Sequence, residues 1–122
     1  MPKIEIIPLA RHEPNQSNHS LNKFSFSYTI RIQNNNKFSV KLIARSWHIT
    51  DANGKVNKVH GVGVVGDQPE IDPGKEYTYS SWIQLSTPVG SMQGAYQFID
   101  DKGKTFEVEI KPFSLAIKNL VH

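Results

Sequence analysis

The chain has 122 residues, enough for one domain to bury about two-thirds of its unfolded surface around a single core without metal or disulfide support. Fourteen Lys and Arg against eleven Asp and Glu give a net charge of +3, and the basic residues are scattered rather than run together, which argues against a nucleic-acid binder. There is no cysteine, so thiol catalysis, thiolate metal sites and a disulfide framework are excluded; a reducing compartment, the cytoplasm, is the expected location.

Met1-Pro-Lys-Ile-Glu-Ile lacks the charged-then-apolar build of a secretory signal, and no stretch nears the ~18 apolar residues of a membrane span, so no membrane insertion is expected. Ile4 and Ile6 alternate with Lys3 and Glu5, and Pro8 confines this strand to a sheet edge. Residues 1–23 read as a looser N-terminal strand and loop, with Arg11 to Ser20 polar enough for a long mobile connection. Phe24, Phe26, Tyr28, Ile30 and Ile32 then alternate with Ser25, Ser27, Thr29 and Arg31, the pattern of a half-buried antiparallel strand. After the turn signal Asn34-Asn-Asn36-Lys37, a second strand begins at Val40 and runs to Ile49. Asp51-Ala-Asn-Gly54 closes a hairpin that returns from Lys55 to Val59.

Beyond the Pro73-Gly74 turn, Tyr77 and Tyr79 alternate with Thr78 and Ser80. Met92, Gly94, Tyr96 and Phe98 alternate up to the turn Asp101-Lys-Gly103, and Phe106, Val108 and Ile110 return with Glu107 and Glu109 outward. Asn119 to His122 reads as a frayed end. No segment longer than two turns has helical periodicity. About seven short strands with evenly spaced turn signals predict an all-β, immunoglobulin/fibronectin type III-like two-sheet antiparallel β-sandwich in one domain, 1–122. The absence of cysteine favours the fibronectin version.

Gly61, Gly63 and Gly66 carry the three-glycine spacing of a dinucleotide-binding loop, in which a pyrophosphate rests on the helix that follows. Pro69 and Pro73 forbid such a helix, so these glycines are expected in a strand edge and loop. The alternative is a small-ligand site for a nucleotide or pyrophosphate, formed by the three glycines with Asp67. Val62, Val64 and Val65 are poor in neighbouring charge and mark an unprotected edge or contact patch, with Trp82 as an exposed anchor; a homodimer through this edge is one form of it.

The histidines His12, His19, His48, His60 and His122 raise a metal hypothesis. If Asp51 and Lys55 close a three-residue loop, position 48 faces 58, and His48 and His60 become diagonal neighbours on one face. A one-residue slip separates them. Asp67, Glu70, Asp72, Asp100 and Asp101 sit beside turns, where Asp commonly bonds its own backbone. No nucleophile elbow, phosphate loop or metalloprotease motif occurs, and Ser46 and His48 lack an orienting carboxylate. The expectation is a binding protein that is not an enzyme and uses no cofactor.

The run from Arg45 to Gly54, then Val59 to Gly74 with its glycines and prolines in order, resembles the ApaG family, also called CorD. So do Thr87-Pro-Val-Gly90-Ser-Met92-Gln-Gly94-Ala-Tyr96, Phe106 and Pro112-Phe113-Ser-Leu115. The resemblance spans about Phe24 to Leu115. The chain departs from it between Glu13 and Ser20 and at Trp82, where a glycine is expected. The resemblance implies a fibronectin-type sandwich acting as a protein-interaction module, in a bacterial family associated with cobalt resistance and magnesium efflux. It also carries Gly61, Gly63 and Gly66 over as the family's glycine motif, discussed as a pyrophosphate site. A protein partner is implied and not named.

Overall fold

In the computed structural model, which describes residues 3–117, the alternating segment becomes strand β2 (Phe24–Asn34), and Phe24, Phe26, Tyr28, Ile30 and Ile32 are all buried. The frayed end expected at Asn119 to His122, with His122 itself, lies outside the described residues. β2 is the centre of a three-stranded antiparallel sheet, flanked by β1 (Ile4–His12) and β6 (Glu76–Leu85). The facing sheet has the order β4 (Val56–Val62), β3 (Val40–Asp51), β7 (Val89–Asp100), β8 (Thr105–Ala116), and the two-residue strand β5 (Glu70–Ile71) pairs with the start of β3. Every pairing is antiparallel, as the alternation requires. β1 is an edge strand, but it extends through Pro8 to His12 and packs on β8 of the other sheet. The sandwich is therefore closed on that side and open on the other, between β4 and β6.

β3 shows how the sequence keeps both of its halves in the core. Val40 and Leu42 face inward at even positions, whereas Trp47 and Ile49 face inward at odd ones. The parity changes because Ile43 is an extra residue: Leu42 lies opposite Phe98 and Ala44 opposite Gln97, with no residue between the latter two. A second irregularity falls between Met92 and Gly94, where Lys111 and Pro112 of β8 oppose Gln93 alone. A bulge is a place where proline's missing N–H is tolerated within a sheet. Trp47 then sits at the middle of the core, edge-on to Tyr28, Tyr96 and Phe113 at ring separations of 5.7, 6.0 and 6.0 Å.

The two hairpin turns share one device. Asp51 Oδ1 accepts the N–H groups of Asn53 and Lys55, and Asp100 Oδ1 accepts those of Lys102 and Lys104. These acidic residues hold turns. The N-terminal connection, expected to be mobile, is instead folded into two single 3-10 turns (Pro14–Gln16 and His19–Leu21) tied to β2. The Ser25 N–H donates to Ser17 Oγ at 2.9 Å, and Ser25 Oγ donates to the Gln16 carbonyl at 2.8 Å, which buries Ser25 on the face that alternation assigns to solvent.

Across the core, the hydroxyls of Tyr79 and Tyr96 hydrogen-bond to each other. Burial raises both above the ordinary tyrosine range. Unfolded tyrosine ionises near pH ~10, whereas the buried pair stays protonated, so its contribution is complete below that pH and declines as pH rises through it. Tyr79→Phe leaves the Tyr96 hydroxyl without its partner and is expected to destabilise the domain by about 1–3 kcal/mol, while Tyr79→Phe with Tyr96→Phe costs less than the sum of the single changes. Urea denaturation of the three variants checks this, and the double variant is expected to lose less stability between pH 9 and 11 than the unmodified chain (pH range from the ~10 reference value).

Candidate functional site: the glycine loop and the open edge

The glycine segment leaves β4 and turns back on itself. The Val64 N–H donates to the Asp67 carbonyl at 2.7 Å and the Asp67 N–H returns to the Val64 carbonyl at 2.9 Å, so Val65 and Gly66 form a two-residue turn, with φ of 49° and 77°. Positive φ at both central residues is the signature of a type I′ turn. Gly63, at φ 61°, has no room for a side chain: an added Cβ would lie 1.9 Å from the Asp67 carbonyl oxygen. Its N–H donates to the Ile43 carbonyl at 2.9 Å, and the Gln68 side-chain amide donates to the same oxygen at 3.1 Å. Gly61 is less constrained: the Arg45 guanidinium, the flexible end of a long side chain, lies where its Cβ would be and would shift for a side chain. Arg45 Nη1 reaches past Gly61 to the Gly63 carbonyl at 2.8 Å and the Val62 carbonyl at 3.3 Å.

No helix follows, in keeping with Pro69 and Pro73; the next element is β5. The N–H groups of Gly63, Val64 and Asp67 are bonded within the domain, so the segment has the form of a closed hairpin and not of a strand-to-helix phosphate cradle. Asp67 accepts from the Tyr77 hydroxyl at 3.4 Å, and burial followed by this carboxylate raises the Tyr77 pKa.

Of the expected contact residues, Val64 must be corrected. It is 0% exposed and part of the core, because the turn points its side chain between the sheets, and it offers no surface to a partner. Val62, Val65 and Trp82 are 70%, 61% and 60% exposed. Val62 ends the edge strand β4, Val65 caps the turn, and Trp82 stands on the outer face of the edge strand β6 opposite Ser27. Val56 and Val59 of β4 are also exposed; Val59, on the inward face opposite Trp47, lines a cleft with Val65 and Trp82, whereas Val56 and Val62 lie on the outer face with His60, a division that reading only the glycine segment misses. Val65 combines two unfavourable features: a β-branched residue in the left-handed region, and an apolar side chain in water.

The histidine register is as the hairpin predicts. His48 is opposite Lys58 and Ser46 opposite His60, so His48 and His60 share the outer face as diagonal neighbours. The Lys58 ammonium directly across from His48 disfavours a cation there. Among the described residues no three His, Asp or Glu side chains gather as a metal cage.

The two-sheet antiparallel architecture with its structural glycine turn places the chain in the class of small all-β sandwich domains. Within that class the comparisons are specific. The ApaG domain family model matches residues 14–100, and the chain belongs to the ApaG family. It is 51% identical to Protein ApaG of Vibrio vulnificus over 99% of this chain and 96% of the relative, and 47% identical to Protein ApaG of Pseudomonas putida over 98% and 95%. A crystal structure described as the ApaA protein of Bordetella pertussis superposes with a TM-score of 0.93 at 38% identity, covering 96% of this chain and 95% of that one.

Gly66→Ala meets no neighbour and carries only the positive-φ penalty of about 1–2 kcal/mol, whereas Gly63→Ala adds a backbone clash and is expected to cost more. Val65→Gly relieves the strain and is expected to stabilise by up to about 1 kcal/mol. Val64→Lys buries an unpaired ammonium and unfolds the domain. Thermal and urea melts rank the four.

Proposed function

We propose that the chain is a protein-interaction module that performs no catalysis and binds its partner through the open side between β4 and β6. The observation that carries this reading is the cleft that Val59, Val65 and Trp82 line on that side, next to the unpaired edge of β4, while the opposite side of the sandwich is closed by β1 on β8. An apolar cleft flanking an unpaired strand edge is the kind of surface that partners cover, and an exposed tryptophan is a common energetic anchor. The strained Val65 supports the same reading, since the fold gains nothing from holding that side chain in solvent. The family resemblance supplies the setting, divalent-cation handling with its link to cobalt resistance and magnesium efflux, and the partner carries the chain's action into it.

Val62→Lys combined with Trp82→Ser is expected to reduce capture of the partner from source-cell extract about tenfold or more, with a melting temperature close to that of the unmodified chain. Leu9→Ser, at an equally exposed apolar position on β1, is the control and leaves capture unchanged. Quantitative co-precipitation checks this; equal capture by the double variant contradicts the reading.

A further inference from the structure

The space between β4 and β6 is bordered by a small polar residue of β6, Ser81, and by Val59 of β4. On β6, Ser81 stands inward between Tyr79 and Ile83, opposite Tyr28. On β4, Asn57 and Gly61 flank Val59 on the inward face, opposite Ile49 and Arg45. Between them lies a cleft of about 190 Å³ lined by Tyr28, Trp47, Val59, Val65, Tyr79 and Trp82, among others. A dry apolar cavity of about 150 Å³ holds a benzene ring, so this one has room for an aromatic side chain.

Trp47 closes the inner end of the cleft and is 1% exposed; its indole N–H, the one buried side-chain polar atom among the described residues with no hydrogen-bond partner, is sealed beneath the surface.

The edge beside the cleft is unpaired. The Asp51 N–H bonds the Lys55 carbonyl and the Gly63 N–H bonds the Ile43 carbonyl, which turns the backbone groups of odd-numbered residues toward β3. Those of Val56, Lys58 and His60 then point away from the sheet. Lys55 and Lys58 lie along this edge, and no Asp or Glu occurs in residues 52–66 or 77–99. Pairing of β4 with β4 of a second copy would set lysines against each other, whereas an acidic strand would be attracted.

We propose that the β4–β6 cleft takes a tyrosine side chain from an extended acidic segment of a partner protein, which pairs along β4 as an added strand while the tyrosine ring packs over Trp47 beside the polar groups of Ser81 and Arg45. The proposal rests on the open side being the interaction surface.

The test uses the peptide acetyl-Thr-Glu-Tyr-Glu-Thr-amide and the two indole N–H signals of the labelled chain, assigned with Trp82→Phe. The peptide is expected to shift the Trp47 signal saturably. Replacing its Tyr by Ala, or both Glu by Lys, is expected to weaken binding about tenfold and about fivefold, and Ser81→Leu, which fills the cleft, about tenfold without loss of fold. Three peptides that bind alike, a Trp47 signal that does not move, or undiminished binding to a folded Ser81→Leu chain overturns the proposal, as does concentration-dependent dimerisation that occupies the cleft. If Ser81→Leu does not fold, the peptide series on the unmodified chain decides alone. Failure here with partner capture still lost in Val62→Lys/Trp82→Ser sinks the tyrosine segment and leaves the interaction surface standing; capture retained by that double variant sinks the surface itself.

Discussion

Ile43, one residue in excess of its partner strand, sets the positions of both the core and the candidate surface. Without it, β3 could not turn Leu42 and Trp47 to the same side, and Ser46 or His48 would enter the core in place of the tryptophan. Beside the bulge the Ile43 carbonyl faces the β4 side, in step with the β3–β4 pairing, and Gly63 and Gln68 bond to that oxygen. The glycine turn is thereby fixed to the strand that carries Trp47. The core's largest side chain and the loop that looks like a ligand site are thus both anchored beside the same backbone irregularity.

That coupling explains why the glycines have a structural account of their own. Gly63 is required by a carbonyl that approaches too closely for any side chain, whereas Gly61 lets the flexible Arg45 guanidinium stretch across it. What they leave for a partner is indirect: a turn that holds Val65 outward, an edge whose last carbonyl is capped by Arg45, and a gap beneath Val59. The packing of β1 on β8 closes one side of the sandwich and the β4–β6 cleft opens the other, which gives the domain a direction.

Much of the fold was legible because period-two alternation reports burial directly where a strand is regular, as in β2. The Asp51 to Gly54 turn gave the register of His48 correctly because turn length fixes pairing. Legibility failed where parity is lost. Val64 follows a glycine in a turn, so alternation from β4 could not say which way it points, and it proved to be core. The consecutive apolar residues Leu42, Ile43 and Ala44 were the available sign of the bulge. The folded N-terminal turns depend on serine contacts to β2, which composition does not reveal. The cleft could not be read at all, since it needs Ser81 of one sheet and Val59 of the other to border the same open side.

The most direct measurement of the central claim is residue-resolved amide hydrogen exchange of the chain alone and bound to its captured partner. Binding as an added strand at the open side predicts new protection of the Val56, Lys58 and His60 amides, whose N–H groups point away from β3, with the β1 and β8 edges unchanged. Protection confined to β1 or β8, or to the Val65 and Gly66 amides of the glycine turn, would contradict it.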